Sequence, residues 1–132
     1  MALLKRLLYL QALLWAVVGL ALAVVPAFVM STLLGQPPYV EYAWIRVVGV
    51  QAFVLSLFMV MVGHRVEQLW WWTWAFALLA AGLGTIAILN AAFDLPPGAA
   101  AWPWWIFAAL TWALALAMAW GLARAGQENP IV

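Results

Sequence analysis

Four long stretches of the chain carry no charged residue, and short polar segments separate them. An α-helix that rises about 1.5 Å per residue needs about 20 mostly apolar residues to cross the hydrocarbon of a bilayer. Each stretch is close to that length or longer, so the pattern predicts four membrane-spanning helices. The stretches run from Leu7 to Val40, from Val47 to Gly63, from Leu69 to Phe93 and from Leu95 to Ala123.

Helix-breaking and charged residues bound these predicted helices. Paired prolines, which cannot donate a backbone hydrogen bond, lie in the first and third gaps at 37–38 and 96–97, and the segment 64–68 is a charged turn. Runs of Ala and Leu without period-two alternation argue against a β-barrel. We therefore predict an all-α fold, an integral membrane four-helix antiparallel bundle that forms a single transmembrane domain over residues 1–132. The predicted helices cover about residues 5–33, 42–63, 69–92 and 103–124.

Composition excludes several classes of protein. With 70% hydrophobic and 7% charged residues the chain lies outside the range of soluble domains. The net charge of +1 and the absence of any basic run longer than Lys5-Arg6 give no reason to expect a nucleic-acid partner. The chain has no cysteine, which removes thiol redox chemistry and iron–sulfur ligation. We expect no cofactor and no metal.

The first apolar stretch has some features of a cleavable signal sequence. Lys5-Arg6 precedes it, and Ala21-Leu22-Ala23 resembles a cleavage site. The apolar run continues through residues 24–30, however, whereas the hydrophobic region of a signal peptide has about 7–15 residues. We therefore expect this segment to be retained as the first helix, with a kink at Pro26.

Basic residues predict the orientation of the helices. Lys and Arg accumulate in cytoplasmic loops of membrane proteins. The two gaps on the opposite side contain Glu41 and Asp94 and no basic residue. We predict a multi-pass protein of the cell inner membrane with both termini in the cytoplasm. Four of the five basic residues fall on the predicted cytoplasmic side: Lys5, Arg6, Arg65 and Arg124.

Tryptophan and small residues add detail to this prediction. The chain is rich in Trp, and its clusters lie where helices should enter or leave the bilayer, as in aromatic belts; a binding platform built from Trp102, Trp104 and Trp105 is the alternative.

Rows of small residues predict close contact between the third and fourth helices. These rows are Ala109, Ala113, Ala117 and Gly121 on the fourth helix and Ala77, Ala80, Ala81, Gly84 and Thr85 on the third.

Arg46 lies inside the second predicted helix, about one turn from its outer end. Its side chain can extend to the lipid headgroups or form a structural ion pair. Alternatively it anchors a ligand together with Asp94 or Glu41, the acidic residues on that side. Asn90 and Asp94 are four residues apart and share a helix face, so they can converge on Arg46.

Amides lie deeper in the predicted helices. Gln51 in the second helix and Gln11 in the first are expected to form hydrogen bonds between helices, and either could instead line a cavity for a lipid-soluble ligand. Ser56 and Thr85 can satisfy their hydroxyl groups on their own helices. The candidate ligand-binding residues are thus Arg46, Gln51, Asn90 and Asp94; we predict no catalytic residue and no metal ligand.

Missing residue types narrow the function further. No carboxylate lies within a predicted helix, which disfavours proton-coupled transport. The sequence contains no Ser/His/Asp set, no phosphate-binding Gly loop and no spacing typical of metal ligands. We therefore do not expect an enzyme.

The first half of the chain contains Leu-Leu-Gly at 33–35, a short gap with proline, and Arg-Val-Val-Gly at 46–49. In these motifs it resembles small four-helix bacterial membrane proteins, the DoxX-like superfamily and its relatives of unknown function. The resemblance implies a four-helix bundle, and a few such proteins are associated with quinone-linked complexes. It implies no catalytic site.

Three functions are compatible with these features. The first is a non-catalytic accessory or assembly subunit of a membrane complex, or a self-associating bundle. The second is a binding protein for a lipid, a quinone or another apolar ligand, held between the second and third helices by Arg46, Gln51, Asn90 and Asp94. The third, less favoured, is a channel or passive transporter.

Overall fold

The computed structural model describes residues 1–128, and this part of the chain is helical without any β-strand. The prediction of an all-α fold with four long apolar helices is confirmed, because four helical stretches are long and apolar enough to cross a membrane: Ala2–Val24, Ala43–His64, Val66–Phe93 and Trp102–Glu128. Residues 129–132 of the predicted domain lie outside the described residues. The helices are α1 (Ala2–Val24), α2 (Ala43–His64), α3 (Val66–Leu69), α4 (Thr73–Phe93) and α5 (Trp102–Glu128).

The first helix is interrupted in the region of Pro26. Instead of one helix over 5–33, α1 ends at Val24, and a π-helical segment, Phe28–Leu33, follows. Val25 leaves the helical conformation with φ −128° and ψ 53°. Pro26 has no backbone N–H to donate to the preceding turn, which explains why a regular α-helix cannot continue through this point.

The third predicted helix has a composite beginning. The four-residue α3 follows directly after α2, and a 3-10 turn, Trp70–Trp72, connects α3 to α4. Val66, the first residue of α3, is buried in the core and anchors this short helix there. The predicted start at residue 69 therefore falls within an irregular segment, and the regular helix begins at Thr73.

Glycines bring α1 and α2 into backbone contact. A Cβ atom added to Gly49 would lie 2.6 Å from the Ala23 nitrogen and 2.7 Å from the Gly19 oxygen. A Cβ atom added to Gly19 would lie 2.6 Å from the Gly49 oxygen. Nearer the start of α1, Leu8 packs against Gly63 at the end of α2. The two helices are thus in contact along most of their length.

The fourth long helix, α5, packs on α4, as the sequence predicts, but through a different face of α5. Gly84 of α4 lies against Thr111 and Trp112, where an added Cβ would meet side-chain atoms at 2.6–2.7 Å. On α5, Ala109 and Ala113 are exposed. Alanine is so frequent in this helix that its spacing alone does not select the contact face. The buried residues of α5 are instead Ala108, Thr111, Leu114, Ala115, Met118, Gly121, Leu122 and Ala125.

The common core of the four long helices lies at one end of the molecule. We call this the terminal end, because the start of α1, the α2–α3 turn and the end of α5 meet there. The opposite end, which carries the connections 34–42 and 94–101, is called the loop end. The core side chains are Leu4, Leu8, Ala12, Met59, Val62, Val66, Phe76, Ala77, Met118, Leu122 and Ala125.

Candidate functional site

Arg46 reaches across from α2 to the end of α1. Its Nη1 atom donates hydrogen bonds to the carbonyl oxygen of Ala23 at 2.7 Å and to that of Val24 at 3.3 Å. These are among the last carbonyl groups of α1, which lack regular helical partners because the helix stops before Pro26. A cation is also favourable at this position, since a helix carries partial negative charge at its C-terminus. Arg46 therefore caps the interrupted helix.

This contact differs from the ion pair with Asp94 or Glu41 considered from the sequence. Within residues 1–128, the one ion pair joins the Met1 amino group to Glu128 Oε2 at 3.4 Å. Asp94 and Glu41 are both exposed. Arg46 is exposed as well, and of its side-chain nitrogen atoms only Nη1 forms a hydrogen bond with the described residues.

The other three candidate ligand residues lie apart from this contact. Gln51 is exposed, Asn90 is half-buried and Asp94 is exposed. In the described part of the chain, no side-chain hydrogen bond or ion pair joins any two of the four candidates; Asn90 and Asp94 are joined only through the backbone, where the Asp94 N–H donates to Asn90 O at 3.1 Å. The residues that α2 buries are others: Gly49, Ala52, Ser56, Met59, Val62 and Gly63. Side-chain hydrogen bonds of Ser56 to Phe53 O and of Thr85 to Ala81 O stay within their own helices, as predicted.

Gln36 is a structural residue that sequence reasoning did not single out. Its side chain is buried, and Nε2 donates to the carbonyl oxygens of Leu34 at 2.9 Å and Ala100 at 3.0 Å. Its Oε1 accepts a hydrogen bond from Trp104 Nε1 at 3.4 Å, and the Ala100 N–H donates to Gly35 O at 3.1 Å. Gln36 thus clamps the first and third connections together. Its position between Gly35 and Pro37 is a signal for a turn, but it does not identify the partners.

Gln11 is the least satisfied polar residue of the core. Its side chain is fully buried, and neither Oε1 nor Nε2 has a hydrogen-bond partner in residues 1–128. The hydroxyl group of Thr73, also fully buried, is unpartnered too. The interhelical hydrogen bond expected for Gln11 is therefore not made by the described part of the chain. An unpaired buried amide costs about 1–3 kcal/mol of stability.

Two concave regions lie outside the core. An apolar crevice of about 240 Å³ borders the interruption of the first helix and is lined by Leu22, Met30, Trp44, Ile45 and Val48. A larger recess of about 730 Å³ opens at the terminal end, between the start of α1 and the α2–α3 turn. The crevice carries no polar lining group, whereas the recess is lined largely by charged and polar side chains.

Residues 1–128 contain no group of three or more His, Cys, Asp or Glu side chains that could hold a metal ion. Comparison of the chain with known proteins found no matching family model, no matching curated protein and no matching solved structure.

Proposed function

We propose that the chain is a multi-pass protein of the cell inner membrane, an antiparallel four-helix bundle with both termini in the cytoplasm. Large apolar side chains are exposed on each of its four long helices, which suits contact with lipid. The terminal end carries Lys5, Arg6, Arg65 and Arg124, in agreement with the positive-inside rule. Membership of the DoxX-like superfamily stays a prediction.

Within this membrane protein we propose a non-catalytic role, as an accessory or self-associating subunit that binds another helix through one face of α4. The observation that carries the proposal is the position of Gly82. Apart from its chain neighbours and the backbone of its own helix, a Cβ added there would meet no atom of the described residues within 4 Å. Leu78 and Ile86, one turn before and after it, are 67% and 60% exposed. We call the surface formed by these three residues the Gly82 face.

Four other helical glycines have an internal explanation, whereas at Gly63 and Gly126, near the ends of their helices, an added Cβ would make ordinary contacts at 3.5 and 3.7 Å. At Gly19, Gly49, Gly84 and Gly121 an added Cβ would come within 2.6–2.8 Å of a neighbouring helix. Gly82 has no such neighbour, yet glycine inside a helix is about 0.5–1 kcal/mol less stable than alanine. Small residues in membrane helices permit close approach of a second helix, where van der Waals packing drives association. A helix from another subunit therefore accounts for glycine at this position.

The experiment is native mass spectrometry of the protein extracted gently from its own membrane. We expect the wild-type chain to carry a second copy or a stoichiometric partner, and Gly82→Leu to lose it. We expect this variant to fold, since a Cβ at position 82 faces open space in the described part of the protein and leucine is a better helix former than glycine.

Ala113→Leu is the matched control, because Ala113 is also a small exposed residue in the middle of a long helix, α5. It should keep the associated chain. If Gly82→Leu retains its associated chain as well as this control does, the Gly82 face is not the contact surface. A wild-type protein that is extracted as a bare monomer contradicts the proposed role itself.

A second candidate function, binding of a lipid, a quinone or another apolar molecule, is favoured by the apolar crevice between Leu22 and Val48. Its volume of about 240 Å³ fits part of an acyl or isoprenoid chain rather than a whole ligand. Ile45→Trp would fill the crevice from α2. If this function holds, the wild-type protein retains one defined small molecule in native mass spectrometry and Ile45→Trp loses it; equal retention by both contradicts it.

A further inference from the structure

The recess at the terminal end brings together basic side chains that are far apart in the sequence. It has a volume of about 730 Å³, within the range of sites that hold small molecules. Lys5 contributes from α1, His64 from the last position of α2, and Arg65 from the turn between α2 and α3. The residues lining it are Met1, Ala2, Lys5, His64, Arg65, Val66, Glu67 and Gln68.

The charged side chains that line this recess are available to bind a ligand. In the described part of the chain, Lys5, His64 and Arg65 have no side-chain hydrogen bond and no ion pair. The acidic residue of the lining, Glu67, is likewise in no ion pair, and Glu128 bonds to the Met1 amino group. The side chains of Lys5, Arg65 and His64 therefore border an open volume that has one carboxylate, that of Glu67, in its lining. This arrangement favours an anionic ligand.

The chemistry of the donors favours a phosphate group in particular. Arg65 offers a planar fork of N–H donors that matches two oxygens of a phosphate, and Lys5 adds a compact charge. An imidazole N–H of His64 and the Gln68 amide can donate to the remaining oxygens. The flexible stems of Lys5 and Arg65, both exposed, allow the two cations to close on such a group.

The recess also lies where phosphate groups are concentrated if the four apolar helices span a bilayer. The 3-10 turn Trp70–Trp72 follows it directly along the chain, and tryptophan is enriched at the level of the lipid headgroups. The cytoplasmic leaflet is the one that carries anionic lipids, which attract Lys and Arg near the surface. We propose that this recess is a binding site for a phosphate group, held by Lys5 and Arg65 with His64 as an additional donor.

The test uses the full chain in maltoside detergent, which carries no phosphate group, and two probes, inorganic phosphate and short-chain phosphatidylglycerol. Binding is measured by calorimetry at constant ionic strength. The double variant Lys5→Gln/Arg65→Gln is expected to weaken binding at least about tenfold, because both charge-assisted partners are lost. Each single variant should lose part of this affinity.

The matched control is the double variant Arg6→Gln/Arg124→Gln. This control also removes two positive charges from the terminal end of the molecule. Neither Arg6 nor Arg124 lines the recess, and the Cζ atom of Arg124 lies 5.1 Å from the centroid of the Trp120 ring. This control should bind like the wild type. Unchanged helical circular dichroism checks that Lys5→Gln/Arg65→Gln folds, as expected for exposed side chains.

The outcomes separate the possible sources of the phosphate group. Competition of inorganic phosphate with the lipid identifies a site for small phosphates, whereas binding of phosphatidylglycerol alone identifies a headgroup site. Equal loss in the two double variants overturns the proposal, because the attraction is then one of general surface charge. Absence of binding by both probes also overturns it. The recess shares no residue with the Gly82 face, so the two proposals fail independently.

Discussion

The guanidinium group of Arg46 in α2 donates a 2.7 Å hydrogen bond to the carbonyl oxygen of Ala23 in α1. The acceptor lies three residues before Pro26, where the first helix is interrupted. A charged residue inside a membrane helix is costly, and it is tolerated where it pairs with backbone carbonyl groups. Arg46 and the interruption of α1 thus compensate each other, since the charge gains acceptors and the carbonyl groups gain a donor.

Substitution of Arg46 should destabilise the protein in a way that depends on Pro26. We expect Arg46→Leu to lower the free energy of unfolding by about 1.5–3 kcal/mol, the range for hydrogen bonds to charged groups. In a Pro26→Ala background the cost should be smaller, because the restored N–H allows α1 to continue and use its own carbonyl groups. Thermal and denaturant unfolding of the double-mutant cycle measures this coupling.

Arg6→Leu is the control for that cycle, since Arg6 is exposed and its side chain has no hydrogen bond in the described part of the chain. Its effect should be small in both backgrounds. An equal cost of Arg46→Leu with and without Pro26 would show that its role is unrelated to the helix interruption.

The glycines of α1 and α2 predict a large effect of a small substitution. Gly49→Ala places a methyl group 2.6–2.7 Å from backbone atoms of Ala23 and Gly19, which cannot move aside independently. We expect a loss of about 1–3 kcal/mol of stability from this overpacking. Gly82→Ala, where the added methyl group contacts no atom of another described helix, should instead gain up to about 1 kcal/mol. Similar unfolding free energies for the two variants would contradict the close α1–α2 contact.

The clamp at Gln36 predicts coupled loosening of two connections. Gln36→Leu removes three hydrogen bonds. The carbonyl oxygens of Leu34 and Ala100 lose the Nε2 donor, and Trp104 Nε1 loses its acceptor. We expect a loss of about 1–3 kcal/mol and faster amide hydrogen exchange in both 34–42 and 94–101. Gln51→Leu, at an exposed amide, is the control and should leave exchange unchanged. Faster exchange in the first connection alone would show that the clamp is not formed.

Gln11 predicts a stabilising substitution. Its buried amide has no partner in the described chain, so Gln11→Met replaces it with an apolar side chain of similar length and should raise the free energy of unfolding by about 1–3 kcal/mol. Thermal unfolding in detergent measures the change. A marked decrease in stability would mean that Gln11 is hydrogen-bonded in the working protein, by water or by a bound molecule.

The positions of the helices could largely be predicted from the sequence. Charge-free length, paired prolines and the missing N–H of Pro26 are local properties, and they locate the long helices and the interruption of the first one. The composite start of the third span could not be predicted from the sequence, because the Trp70–Trp72 turn is as apolar as the helix that follows it. The faces through which the helices contact each other could not be predicted either, since nearly every position of these helices is apolar and small residues occur on several faces.

The sequence by itself determined the number of long helices, their approximate limits and the distribution of basic residues between the two ends. These features follow from the free energy required to expose long apolar segments to water or to bury charged side chains. That free energy depends on the composition along the chain. Only the tertiary structure decided that Arg46 bonds to α1 rather than to Asp94, that Gln36 joins two connections, and that Lys5 and Arg65 share a recess. Such contacts join residues 23 to 64 positions apart or come from separate helices, and they depend on how the helices are rotated and paired.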